Sequence, residues 1–142
     1  AEGVSDAQGD KVVVNIPIGM RTIVRGNEDR LAQVFGNIIS NALSFSPDDG
    51  LVTIRLENKD DVVVIKIEDQ GMGIPDNKLN DIFERFYTER PDHENYGSHS
   101  GLGLSISKQI IDAHGGEIYA ENIRDKNGKR IGARFIVELQ AA

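Results

Sequence analysis

The chain has 142 residues, 39% hydrophobic and 27% charged, which suits one globular domain able to bury a core without crosslinks. It contains no cysteine, so thiol catalysis and cysteine-based metal sites are excluded. The formal net charge of −7 argues against broad attraction to nucleic acid or anionic lipid. No apolar run approaches the roughly 20 residues of a membrane helix, and no secretory signal is visible.

Residues 1–10 are small and polar and read as a flexible N-terminal remnant, which leaves 11–142 as the domain. Residues 11–17 are β-branched and predict a strand, and 21–25 predict a second, short one. Gly26-Asn27 then breaks the chain, with Asn27 as a helix N-cap and Glu28 and Asp29 in the first turn. Leu31, Val34, Phe35, Ile38, Ile39 and Ala42 follow the spacing of an amphipathic helix, which residues 46–50 end in a turn. Two β-rich runs, 51–57 and 62–68, are separated by 58–61 and predict a hairpin. Residues 77–83 predict a short helix, and 84–100 form a polar stretch with little periodicity. Residues 101–113 predict a helix closed by Gly115-Gly116. Residues 117–121 and 133–139 predict two final strands joined by a turn-rich segment. Hairpins dominate and helices are few. The fold class expected is therefore α/β, a two-layer sandwich of a mixed, mostly antiparallel sheet with helices on one face.

Three clusters carry chemistry. Asn37 and Asn41, four residues apart, stack on one helical face at the edge of the apolar stripe, where a helix meets a cleft. An amide oxygen is a hard ligand suited to Mg²⁺. A solvated polar face is the plainer alternative, although asparagine is a poor helix former and two in mid-helix call for a reason. Asp69-Gln70-Gly71-Met72-Gly73-Ile74-Pro75 ends the strand 62–68. Its glycines allow a sharp turn and close approach of a flat ligand. The Asp69 carboxylate can only accept hydrogen bonds, which fits the exocyclic amine of adenine and not the carbonyl of guanine. A strand-terminating turn is the alternative. Residues 97–104 lead glycines into a helix start, where backbone N–H groups can receive phosphate. This is neither a Walker A loop nor a dinucleotide fingerprint.

Asn-x-x-x-Asn at 37–41, DxGxG at 69–73, IFERFY at 82–87 and GLGLSI at 101–106 together resemble the N, G1, F and G2 boxes of the histidine kinase catalytic domain. The resemblance covers roughly residues 11–140. The phrases NALSFSP, FERFYTERPD and SGLGLSISKQIIDAHGG are further similar to the ChvG-type sensor kinases of alphaproteobacteria. The resemblance implies the Bergerat ATP-binding fold, with ATP in a cleft between helices and sheet. It implies that Asn41 binds Mg²⁺ and that Asn37 helps with metal or phosphate. Asp69 would hold the adenine amine, with Gly71, Gly73 and Ile74 shaping that pocket. Gly101, Leu102, Gly103 and Leu104 would line the phosphates. Phe45 would stack on the base or pack in the core, and Arg85 would reach a phosphate or lie on the surface. Residues 84–100 match the family's ATP lid.

One departure is Ser44, where many relatives carry a lysine or arginine; either Arg85, Arg90 or Lys108 would replace that contact, or phosphate binding would be weaker. None of His93, His99 and His114 resembles a phosphoacceptor, and His114 reads as a helix C-terminal cap. The family's phosphoacceptor helix has no counterpart in this sequence. The resemblance thus implies the donor half of a two-component sensor histidine kinase. Its partners would be its own helical acceptor domain and a response regulator, with no nucleic acid and no direct membrane contact. The parent would be a homodimeric bacterial inner-membrane sensor with this domain in the cytoplasm. Two alternatives stay open. One is an ATPase of the same fold, whose relatives carry a glutamate at the position of Asn37 to activate water, which asparagine cannot do. The other is a non-enzymatic nucleotide-sensing pseudokinase, which Ser44 keeps open.

Overall fold

The computed structural model describes residues 2–3, 12–15, 24, 26–47, 50–84 and 103–141. Helix α1 (Glu28–Phe45) begins where the sequence predicts. Asn27 is extended (φ −82°, ψ 114°), and its side-chain oxygen accepts from the Arg30 N–H at 2.9 Å. That bond satisfies one of the donors left open at a helix start. Val34, Ile38 and Ala42 recur every fourth residue and are wholly buried, with Leu31, Phe35 and Ile39 packed beside them.

The strands are β1 (Glu2–Gly3), β2 (Val12–Asn15), β3 (Val52–Lys59), β4 (Val62–Glu68), β5 (Glu117–Arg124) and β6 (Arg130–Gln140). They form one sheet in the order β1-β2-β3-β4-β6-β5. Among the described strands only β2 and β3 pair in parallel, and α1 is the crossover that parallel neighbours require. The β3–β4 hairpin turns through Asp60, whose φ of 58° lies in the left-handed region that aspartate tolerates. Along β4, Val63, Ile65 and Ile67 share a core with Phe135, Val137 and Leu139 of β6. Ile110 and Ile111 of helix α2 (Gly103–Ala113) join the same core. The opposite sheet face carries charge: Glu68 accepts from Arg55 at 3.1 Å and from Arg134 at 2.8 Å, and Arg134 also reaches Glu121. One face under helices and one face of ion pairs make the two-layer α/β sandwich that the patterning predicts.

Several elements differ from expectation. Glu2–Gly3 lies in the stretch read as a flexible remnant, yet it pairs antiparallel with β2 and so covers part of an otherwise open strand edge. The short helix expected over 77–83 is instead two 3-10 turns, Asp76–Lys78 and Asp81–Phe83. Asp76, Asn77, Asn80 and Asp81 are short polar residues that compete with helical backbone bonds. The second turn still buries Ile82 and sets Phe83 edge-on to Phe135, with ring centroids 6.3 Å apart. The last two strands run further than predicted, β5 to Arg124 and β6 from Arg130. Of the strand expected over 21–25, only Val24 is described, and it bridges Ala141. The lid expected over 84–100 lies outside the described residues beyond Glu84.

Candidate functional site

Strand β4 ends at Glu68, and the next residue, Asp69, is 5% exposed. Its N–H donates to the Ala133 carbonyl at 2.9 Å. Its Oδ1 accepts from the Gly71 N–H at 2.9 Å and the Ala133 N–H at 3.0 Å. Burial pushes the Asp69 carboxyl up, and these two N–H bonds only partly oppose it. Oδ1 takes both bonds, and no buried side-chain polar atom among the described residues lacks a partner. Oδ2 is therefore the carboxylate atom left for an incoming donor. Strand β6 presses close here: a Cβ on Gly132 would stand 2.1 Å from the Asp69 carbonyl oxygen.

The loop after Asp69 is fastened on two sides. The Gln70 N–H reaches Ser46 Oγ at the end of α1 at 3.4 Å, and Gln70 Oε1 accepts from the Leu51 N–H at 2.9 Å. On the other side, the Asn122 side chain of β5 bonds both backbone groups of Ile74. Gly73 has a φ of 79°, and a Cβ there would meet Asn122 Oδ1 at 2.7 Å, so both conformation and space demand glycine. Gly71 is half-buried and Ile74 is buried.

Asn37 and Asn41 are both half-buried on α1. The Asn37 amide donates to the Gly103 carbonyl at 3.2 Å and to Ser107 Oγ at 3.4 Å. Ser107, wholly buried, donates to the same carbonyl at 2.9 Å. Asn37 thus faces the first residue of α2 through its amide nitrogen, leaving Oδ1 for a ligand. Asn41 precedes Ser46 by a little over one turn, about 7.5 Å along the helix axis. The described site therefore lines up three parts: the end of β4 with its loop, one face of α1, and the start of α2. Leu104 belongs there by position but packs partly buried against the core. Among the described residues no three His, Cys, Asp or Glu side chains gather to hold a metal. A cation at this place would depend on amide oxygens plus oxygens from a ligand and water. That donor set fits Mg²⁺, which is usually held by few protein groups.

Arg85, Arg90, Gly101, Leu102, His93 and His99 lie outside the described residues, as does the side chain of Phe45. Ser44 is half-buried, and Lys108 is exposed and paired with Asp112 at 3.4 Å. His114 follows α2 as the cap expected of it, with Nδ1 2.8 Å from the Ile110 carbonyl. Its Nε2 accepts from the Asn27 N–H at 3.0 Å, so both ring nitrogens are engaged. Asn122, Gly132 and Ala133 escape the sequence reading, because their contacts with the 69–76 loop come from distant strands. The one sequence signal was a glycine, Gly132, beside a strand after a turn-rich segment.

Residues 26–142 match the family described as histidine kinase-, DNA gyrase B-, and HSP90-like ATPase. The chain is similar to the sensor protein ChvG of Agrobacterium fabrum, 49% identical over 121 residues, covering 84% of this chain and 20% of that protein. It therefore spans about a fifth of the length of that curated relative. Among solved structures it resembles full-length ShkA in complex with AMPPNP, at TM-score 0.76 and 25% identity, over 93% of this chain and 26% of that one. It also resembles the histidine kinase ThkA in complex with the response regulator protein TrrA, at TM-score 0.71 and 28% identity, over 92% of this chain and 34% of that one.

Proposed function

We infer, from a chain that belongs to the histidine kinase-, DNA gyrase B-, and HSP90-like ATPase family, that this domain binds ATP and donates its γ-phosphate to a histidine on a separate helical domain. The proposed unit is residues 11–142, to whose sheet Glu2–Gly3 adds a short edge strand, and the parent is a two-component sensor histidine kinase. The observation that carries this reading is Asp69: a buried carboxylate with one oxygen fixed by two backbone N–H groups and the other left to accept. Asp69 Oδ2 takes the adenine amine, and Gly71, Gly73 and Ile74 form the wall beside the base. Asn41 and Asn37 offer amide oxygens to Mg²⁺ on the neighbouring helix face. A bound Mg²⁺ supplies neutralisation of phosphate charge. Gly103 and Leu104 stand at the start of α2, where N–H groups point toward phosphate. Gly101, Leu102, Arg85 and Phe45 complete this reading by resemblance. The acceptor imidazole is nucleophilic when neutral, so the domain needs no base of its own. Asn37 cannot take a proton from water, which disfavours the hydrolytic alternative.

The nucleotide analogue on ShkA and the response regulator on ThkA support the substrate and the onward partner. The parent is proposed to be a homodimeric inner-membrane sensor with this domain in the cytoplasm. No helix among the described residues is long and apolar enough to cross a membrane. The test mixes this domain with the parent's helical acceptor domain and γ-labelled ATP. Acid-labile label on the acceptor histidine is the expected result. Label released only as free phosphate would favour the ATPase, and nucleotide binding with neither outcome would favour a pseudokinase.

A further inference from the structure

The loop that follows Asp69 leaves the sheet, so its backbone must find partners elsewhere. At Ile74 a single side chain supplies them. Asn122 Oδ1 accepts from the Ile74 N–H at 2.7 Å, and Asn122 Nδ2 donates to the Ile74 carbonyl at 2.6 Å. The residues are 48 positions apart in sequence, and the amide pairs with Ile74 as a neighbouring strand would. The second Nδ2 hydrogen goes to Asp76 Oδ1 at 2.9 Å. Arg124, further along β5, holds Asp76 through both carboxylate oxygens at 2.7 Å and anchors its own guanidinium on the Gly128 carbonyl at 2.9 Å. The loop comes so near that Gly73 has no room for a Cβ beside Asn122 Oδ1.

We propose that Asn122 is a positioning residue for the nucleotide, clamping the 73–76 segment so that the wall of the adenine pocket is formed before the base arrives. The inference rests on the reading that Asp69 and its loop hold adenine. Asp69 itself is fixed by β6, through Ala133, and does not depend on the clamp. Removing the clamp therefore leaves the recognition carboxylate in place and frees only the far side of the pocket. Binding must then order that segment, and affinity falls by the ordering cost. Only an amide fits the role. Aspartate would set a carboxylate against the Ile74 carbonyl and the Asp76 carboxylate, and serine offers one donor where two are used.

The experiment titrates the parent, Asn122→Asp, Asn122→Ser, Arg124→Ala and Asp69→Asn with ADP and with a non-hydrolysable ATP analogue, with and without Mg²⁺. Hydrogen exchange of the Ile74 amide is followed in each. Asn122→Asp is expected to raise Kd about tenfold, by the same factor for both nucleotides. Asn122→Ser should raise it less, and Arg124→Ala about threefold, since it loosens Asp76 alone. The Ile74 amide should exchange faster in both Asn122 variants, while the affinity ratio with and without Mg²⁺ stays that of the parent. A merely structural role would not confine the loss to the base end in this way. Should Asn122→Asp fail to fold, Asn122→Ser and Arg124→Ala carry the same test. The inference is overturned if the folded Asn122 variants free the Ile74 amide yet keep Kd within about twofold of the parent, or if their loss lies in the Mg²⁺ response. Weakening by Asp69→Asn alone would sink the clamp and spare the adenine reading. No weakening by Asp69→Asn would remove the adenine reading itself.

Discussion

The two ends of the proposed nucleotide site are built from different materials. At the base end Asp69 is fixed against β6: its N–H donates to the Ala133 carbonyl, its Oδ1 accepts from the Ala133 N–H, and Gly132 lies against its carbonyl oxygen. At the other end the parts are single side chains on helices, Asn37 reaching the start of α2 and Asn41 one turn on. Asp69 cannot shift without disturbing β6, although the loop that follows it hangs on the Asn122 and Gln70 side chains. Amides on a helix face can be replaced one at a time. Mutations at the base end should therefore disturb folding and binding together or in opposition, whereas those at the helical end should separate metal from nucleotide.

The severest challenge to that contrast is Gly132→Ala. Its new Cβ meets the Asp69 carbonyl oxygen at 2.1 Å, against backbone that cannot rotate aside. Parting β4 from β6 there should cost about 3 kcal/mol and abolish adenine binding. Urea melts beside calorimetry check this, and parent-like stability would show the seat to be soft. Asp69→Asn comes next, with adenine binding weakened by about 1.5–3 kcal/mol. Here stability should move the other way. The folded carboxyl is held above its ordinary 3.8, so the parent loses stability as pH rises from that value through the folded one. The amide variant has no such loss, so at neutral pH it should melt no lower than the parent. Melting curves across the acid range would expose the crossing, and a variant less stable at every pH would contradict it.

At the helical end, Asn41→Ala should leave binding in EDTA nearly unchanged and shrink the gain on adding Mg²⁺ by on the order of 1 kcal/mol. An unaltered Mg²⁺ response would return Asn41 to a plain polar face. Smallest should be Glu68→Gln, on the sheet face away from the helices. Burial pushes the Glu68 carboxyl up, but Arg134 and Arg55 outweigh this and hold it below 4.5. Its stabilisation is present above the ordinary value and lost as pH falls through the depressed one. The variant should lose about 0.5–1 kcal/mol at neutral pH and little at acid pH, with nucleotide affinity intact. Unfolding at two pH values alongside one titration decides it.

What was legible in the sequence was local. The Asn27 cap, the buried stripe of α1 and the β3–β4 hairpin each depend on residues within a turn or two, and all appear where predicted. The candidate residues were visible for the same reason: Asp69, Gly71 and Gly73 are contiguous, and Asn37 and Asn41 share a helix face. The supports were not visible. Strand order sets β6 between β4 and β5, and only that order brings Ala133 to Asp69 and Asn122 to Ile74. The predicted helix over 77–83 gave way to 3-10 turns beside Asp76, which is held by residues of β5. No local pattern encodes that grip.

Among the described residues, helices α1 and α2 are joined at two levels, by His114 to the Asn27 N–H and by Asn37 to the Gly103 carbonyl and Ser107 Oγ. The two joints stand about 15 Å apart along α1, at the 1.5 Å rise of each residue. Two bars pinned at one point can pivot, but two bars pinned at separate points cannot. Sliding one helix along the other would break both joints at once. In mechanical terms the pair is a braced frame, held near the entry to α1 and again beside Gly103, the first residue of α2.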